Sequence, residues 1–155
     1  MKKEILFAPA FELLGDELKA IAQKVVDLEV RALDKWYEGD PSAYLDIYSR
    51  DSFTYFDPVK EKKIASFEEI SQAHDLLRGK VSADGYKMTD VDVQLSKDAA
   101  ILTYQLFAQV RDVFFKWNCT EVFFLQSNKE WLMTHSNWSF IRPMDWTFKE
   151  GQQLV

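Results

Sequence analysis

The chain has 155 residues and a mass of 18.2 kDa, long enough to bury a core without disulfides or metal. Its 19 basic and 25 acidic residues leave a net charge of −6 and an isoelectric point near 5.0, so a surface tracking nucleic-acid phosphates is not expected. Apolar residues at 47% and aromatics at 15% exclude global disorder, and the one cysteine, Cys119, excludes an internal disulfide and any multi-cysteine metal site.

At the N-terminus, the apolar run between Glu4 and Glu12 is short and interrupted by Pro9, which argues against a secretory leader. No stretch approaches the ~20 apolar residues needed to cross a bilayer. A soluble, cytoplasmic protein without a membrane partner is expected. Leu14, Leu18, Ile21, Val25, Leu28, Ala32 and Trp36 recur at intervals of three and four, predicting a helix that Gly39-Asp40-Pro41 stops near Tyr37–Glu38. Pro41 can open a short second helix with Tyr44, Ile47 and Tyr48 on one side. Phe53, Tyr55 and Asp57 alternate with Ser52, Thr54 and Phe56, the period of a short strand that ends at Asp57-Pro58. Ser66-Phe67-Glu68-Glu69 reads as a capping box opening a third helix, with Phe67, Ile70, His74 and Leu77 inward and Gly79 as its stop.

The second half changes period. Residues 87–95, 98–110, 113–126 and 130–142 are rich in β-branched and aromatic residues and are separated by short polar turns, a pattern that predicts an antiparallel meander. Two sequons, Asn118-Cys119-Thr120 and Asn137-Trp138-Ser139, fall inside these strands and read as coincidence. Helices first and sheet second indicate an α+β fold with the helices on one sheet face. Both sides of the central strands are largely apolar, whereas a single covered face should leave the other polar. A second copy of the chain covering the outer face, a homodimer, is therefore expected.

Four segments, in this order and spacing, resemble the nuclear transport factor 2-like superfamily, in its SnoaL-like and ketosteroid-isomerase-like branch. They are Trp36-Tyr37-Glu38-Gly39-Asp40, Tyr55-Phe56-Asp57-Pro58, Thr120-Glu121-Val122 and the run from Trp131 to Ser139, with Asn137 where a second histidine is often found. The resemblance covers residues 16–142 within one domain spanning 1–155. It implies a cone: a curved, mostly antiparallel sheet wrapped around three helices from the N-terminal half, with a pocket between them. It also implies that Asp57, just before Pro58, matches the general-base aspartate of ketosteroid isomerases. His74 takes the place of a pocket tyrosine. The tyrosine that donates to the oxyanion falls near Ala32–Leu33, and the protonated aspartate of the sheet near Thr120. With both donors missing, steroid isomerisation itself is not expected.

The residues allow more than one chemistry. Asp57 and His74 sit on inward stripes that could meet, giving a carboxylate–imidazole pair for proton transfer. Equally, Asp57 could cap the turn before Pro58 and His74 could be a core histidine with a satisfied ring. Thr120 reads as pocket-lining, while Asn118 on the same strand face is left open between the pocket and cross-strand hydrogen bonding. Trp36, Tyr55, Tyr104 and Trp138 could stack on a ring-shaped ligand, or pack as core. His135 and Asn137 face either the pocket or the dimer interface. Two histidines without a carboxylate cluster disfavour metal, and no phosphate loop or dinucleotide fingerprint is present, so no cofactor is expected. Two functions remain. One is a cofactor-free isomerase, cyclase or dehydratase acting on a small organic compound, with Asp57 and His74 moving the proton and Tyr55 and Thr120 positioning the compound. The other is a non-enzymatic ligand-binding or oligomerisation module.

Overall fold

Helix α2 (Asp16–Tyr37) buries Ala22, Val25, Val26, Ala32, Leu33 and Tyr37 along one face, as the three-and-four spacing requires. The buried stripe is rotated from the expected one: Leu18 is 49% exposed, and Glu29 stands in the stripe, fully buried. The computed structural model describes residues 1–143, so the end of the expected 1–155 domain, residues 144–155, lies outside the described residues. At the end of α2, Gly39 adopts φ +88, and its carbonyl accepts from the N–H of Gly79 at 2.8 Å. A Cβ on Gly39 would lie 3.2 Å from the Gly79 Cα, so the close approach as well as the backbone angle demands glycine. This contact ties α2 to the far end of α4 (Phe67–Leu77), the helix that carries His74.

The capping box of α4 forms. Ser66 Oγ accepts from the N–H of Glu69 at 3.1 Å, and Glu69 Oε2 accepts from the N–H of Ala65 at 2.9 Å. Helix α3 (Ser42–Ile47) follows Pro41 and buries Tyr44 and Ile47. To the three expected helices the structure adds a single turn, α1 (Pro9–Glu12), and before it a strand, β1 (Lys2–Phe7). The sequence offers little signal for β1, whose first three residues are charged and exposed; it becomes a strand by pairing in parallel with a distant partner, Lys2 opposite Gly85.

Strands β2 (Thr54–Phe56), β3 (Gly85–Leu95), β4 (Ala99–Val110), β5 (Val113–Leu125) and β6 (Trp131–Phe140) complete a six-stranded sheet in the order β1-β3-β4-β5-β6-β2. The β3–β6 meander is antiparallel, while the two edge strands, β1 and β2, pair in parallel. The sheet is open, and its inner face packs on the helices through Leu102, Tyr104 and Leu106 of β4 and Cys119, Glu121 and Phe123 of β5. The alternate residues, among them Ile101, Phe114 and Phe124, are exposed on the other face. In β6 a bulge resets the alternation: Val122 faces His135 but Phe123 faces Met133, leaving Thr134 as the extra residue. Met133 therefore points into the core and His135 to the outer face, although sequence parity places them together.

Candidate functional site

A cavity of about 370 Å³ lies between the helices and the inner face of the sheet. Its walls are mainly aromatic, with Trp36 from the end of α2, Tyr44 and Tyr48 from α3 and its C-cap, Tyr55 from β2, and Trp117 and Trp138 from the sheet. Apolar walls bearing a few fixed polar groups are what a small-molecule site requires. Asp57 and His74 both line it. The inward stripes of β2 and α4 thus meet around one hollow, as their periods predict.

Asp57 follows directly on β2, and its Oδ1 accepts from the N–H of Val59 at 2.8 Å across Pro58. The turn-capping and pocket-facing readings therefore hold together. Burial raises the Asp57 carboxyl above the ordinary aspartate range, against the pull of the Val59 hydrogen bond and the charge of Lys60. No described residue hydrogen-bonds Oδ2. His74 does not pair with Asp57. Its Nε2 meets the hydroxyl of Tyr48 at 3.0 Å, and its ring lies 5.1 Å from that of Trp36. Burial, helped by Lys60, lowers the imidazole to about 4, so His74 is neutral at physiological pH.

Of the other expected ligand contacts, Trp36, Tyr55 and Trp138 line the cavity. Thr120 does not: it is exposed on the outer face, opposite Thr103 and Asn137, because the odd-numbered residues of β5 turn inward. Asn118 is exposed on that face as well. Tyr104 faces inward but lies behind the cavity wall, where its hydroxyl donates to Glu29 Oε1 at 2.6 Å. His135 belongs to the outer face, with Nδ1 2.8 Å from Thr54 Oγ1, and Asn137 is exposed beside it.

The structure also assembles a polar group behind the cavity that the sequence does not announce. Glu29 of α2 and Glu121 of β5 are both fully buried. Tyr44 donates to Glu29 Oε1 at 2.5 Å, and Tyr104 bridges the pair, 2.6 Å from Glu29 Oε1 and 3.4 Å from Glu121 Oε1. The two carboxyl groups lie close enough for each to act on the other's protonation. Neither Oε2 has a donor among the described residues, and one proton held by the pair would supply the missing donor. Burial raises both, and the Tyr44 and Tyr104 hydroxyls converging on Glu29 Oε1 favour the charged form of Glu29 over that of Glu121. Glu121, the residue after Thr120, carries its carboxyl into the core and not into the cavity lining. The available signals were the position of Glu29 four residues after Val25 and the parity of Glu121 with Cys119 and Phe123.

No protein-family model matches the chain, and no curated protein matches it. Among solved structures, a “putative ketosteroid isomerase” from Parabacteroides distasonis ATCC 8503 is similar at 30% identity and TM-score 0.72, over 79% of this chain and 89% of that one. An NTF2-like protein of unknown function from Pseudomonas putida KT2440 gives TM-score 0.70 at 15% identity, over 87% and 94% of the two chains. The CaMKII hub of S. rosetta gives 0.63 at 19% identity, over 77% and 95%. The last two likenesses concern the fold alone.

Proposed function

The chain belongs to the nuclear transport factor 2-like superfamily, in its ketosteroid-isomerase-like branch, and we propose that it binds a small organic molecule in the aromatic cavity and moves a proton on it, with Asp57 as the base. The observation that carries this reading is the state of Asp57. One oxygen is fixed by Val59, the other is uncommitted, and burial raises the affinity of the carboxyl for a proton. Such a base is held in place and tuned towards neutrality, as proton abstraction requires. His74 and Tyr48 supply a neutral imidazole–phenol pair that can hydrogen-bond a polar atom of the ligand without carrying charge. Tyr55, Trp36 and Trp138 hold its body.

The experiment is hydrogen exchange. Small ring ketones are incubated with the protein in D2O, and deuterium uptake next to the carbonyl is followed by NMR. Asp57→Asn, which keeps an oxygen for the Val59 bond, should lower catalysed exchange by about 10²–10⁴-fold while tryptophan fluorescence still reports binding. Undiminished exchange in that variant removes Asp57 from the chemistry.

A second, compatible reading concerns the outer sheet face. Phe114 and Phe124 are 40% and 46% exposed there, and the Phe107 and Phe114 rings stack at 6.4 Å. A second copy of the chain covering this face would remove that apolar surface from water.

A further inference from the structure

We infer that the ligand of this cavity is an organic cation whose positively charged end lodges against Tyr44, Trp36 and Tyr48. The inference rests on the reading that the cavity holds a small organic molecule, and names its charge. Three observations carry it. First, the inner wall is aromatic: Trp36, Tyr44 and Tyr48 line it together, the Trp36 ring edge-on to Tyr44 at 5.9 Å and Tyr44 stacked on Tyr48 at 5.7 Å. Ring faces are negative, and a desolvated cation among several of them is strongly held.

Second, Tyr44 joins that cage to the buried acids. Its ring lines the cavity while its hydroxyl donates to Glu29 Oε1 at 2.5 Å. A phenol donating to a carboxylate is more electron-rich and a better partner for a cation. Third, Glu29 and Glu121 are fully buried with no Lys, Arg or His paired to them among the described residues. Buried charge is normally compensated by an opposite one, and here the open space on the far side of Tyr44 is where that charge can enter. Asp57 places a carboxylate on the cavity wall itself. The cations of the lining, Lys80 and Arg111, are both exposed, and Lys60, whose charge reaches Asp57 and His74, is exposed outside the lining.

The test compares three probes of one shape: choline, its neutral isostere 3,3-dimethylbutan-1-ol, and the anion 3,3-dimethylbutanoate. Each is titrated at fixed ionic strength and followed by fluorescence of the cavity tryptophans and by ligand-observed NMR. Choline should bind about tenfold or more tighter than the alcohol. Glu29→Gln should bring the two to parity. Should that variant not fold, Tyr44→Phe keeps the ring, breaks only its bond to Glu29, and should lower the preference severalfold. Equal or tighter binding of the alcohol or the carboxylate overturns the inference and leaves the cavity reading standing. Binding of none of the three overturns the cavity reading with it.

Discussion

The hydroxyl of Tyr48 and Nε2 of His74 meet at 3.0 Å in the wall of the cavity, where both side chains are buried. This contact gives the imidazole a partner without a charge, and the surrounding rings deny it water. Its lowered value, about 4 against an ordinary 6.5, means that the unfolded chain takes up the proton first as pH falls. Stability tied to neutral His74 is then fully present above pH 6.5 and is lost on acidification towards 4, by about 3 kcal/mol in all. NMR of the two histidine rings should show His74 uncharged at pH 5. Titration of His74 near 6.5 would contradict its burial in the cavity wall.

The carboxyl pair acts in the opposite direction. Both groups hold protons more tightly folded than unfolded, so their contribution is complete below the ordinary glutamate value of about 4.5 and fades as pH rises through their raised range. Urea unfolding followed across this range should show a smaller loss of stability with rising pH in Glu121→Gln, whose amide can still donate to Glu29, than in the wild type. Identical slopes would mean that the pair does not share a proton.

Gly39 and Gly79 separate two reasons for glycine. Both have positive φ, but a Cβ at Gly39 meets the Gly79 backbone while one at Gly79 meets open space. Gly79→Ala should cost about 1 kcal/mol from backbone conformation alone. Gly39→Ala should cost about 1 kcal/mol more, since backbone and not a flexible side chain must give way. Denaturant midpoints measure both, and an equal loss would remove steric contact between the ends of α2 and α4 as a determinant of the fold.

The outer sheet face makes a prediction about assembly. Light scattering behind size exclusion should give twice the 18.2 kDa chain mass at micromolar concentration. Phe124→Asp should give the single-chain mass, since a charge on a covered apolar face lacks a partner. A wild-type chain that is monomeric at micromolar concentration disposes of the outer-face dimer.

What was legible in the chain is what short-range periodicity can encode. The stripe of α4 carries His74 inward, Ser66 and Glu69 cap that helix, Asp57 ends the β2 strand facing the same way as Tyr55, and short turns make β3–β6 a meander. All of these depend on neighbours a few residues apart. Relations between elements emerge only when the chain is folded. Period two separates Thr120 from Glu121, but with apolar residues on both sides of β5 it does not say which side meets the helices. The bulge at Thr134 divides Met133 from His135, and β1 exists only through its pairing with β3. The buried acid pair is the clearest case. A carboxyl is tolerated in a core only where donors from other parts of the chain converge on it, and Tyr44, Tyr104 and Glu121 reach Glu29 from three separate elements.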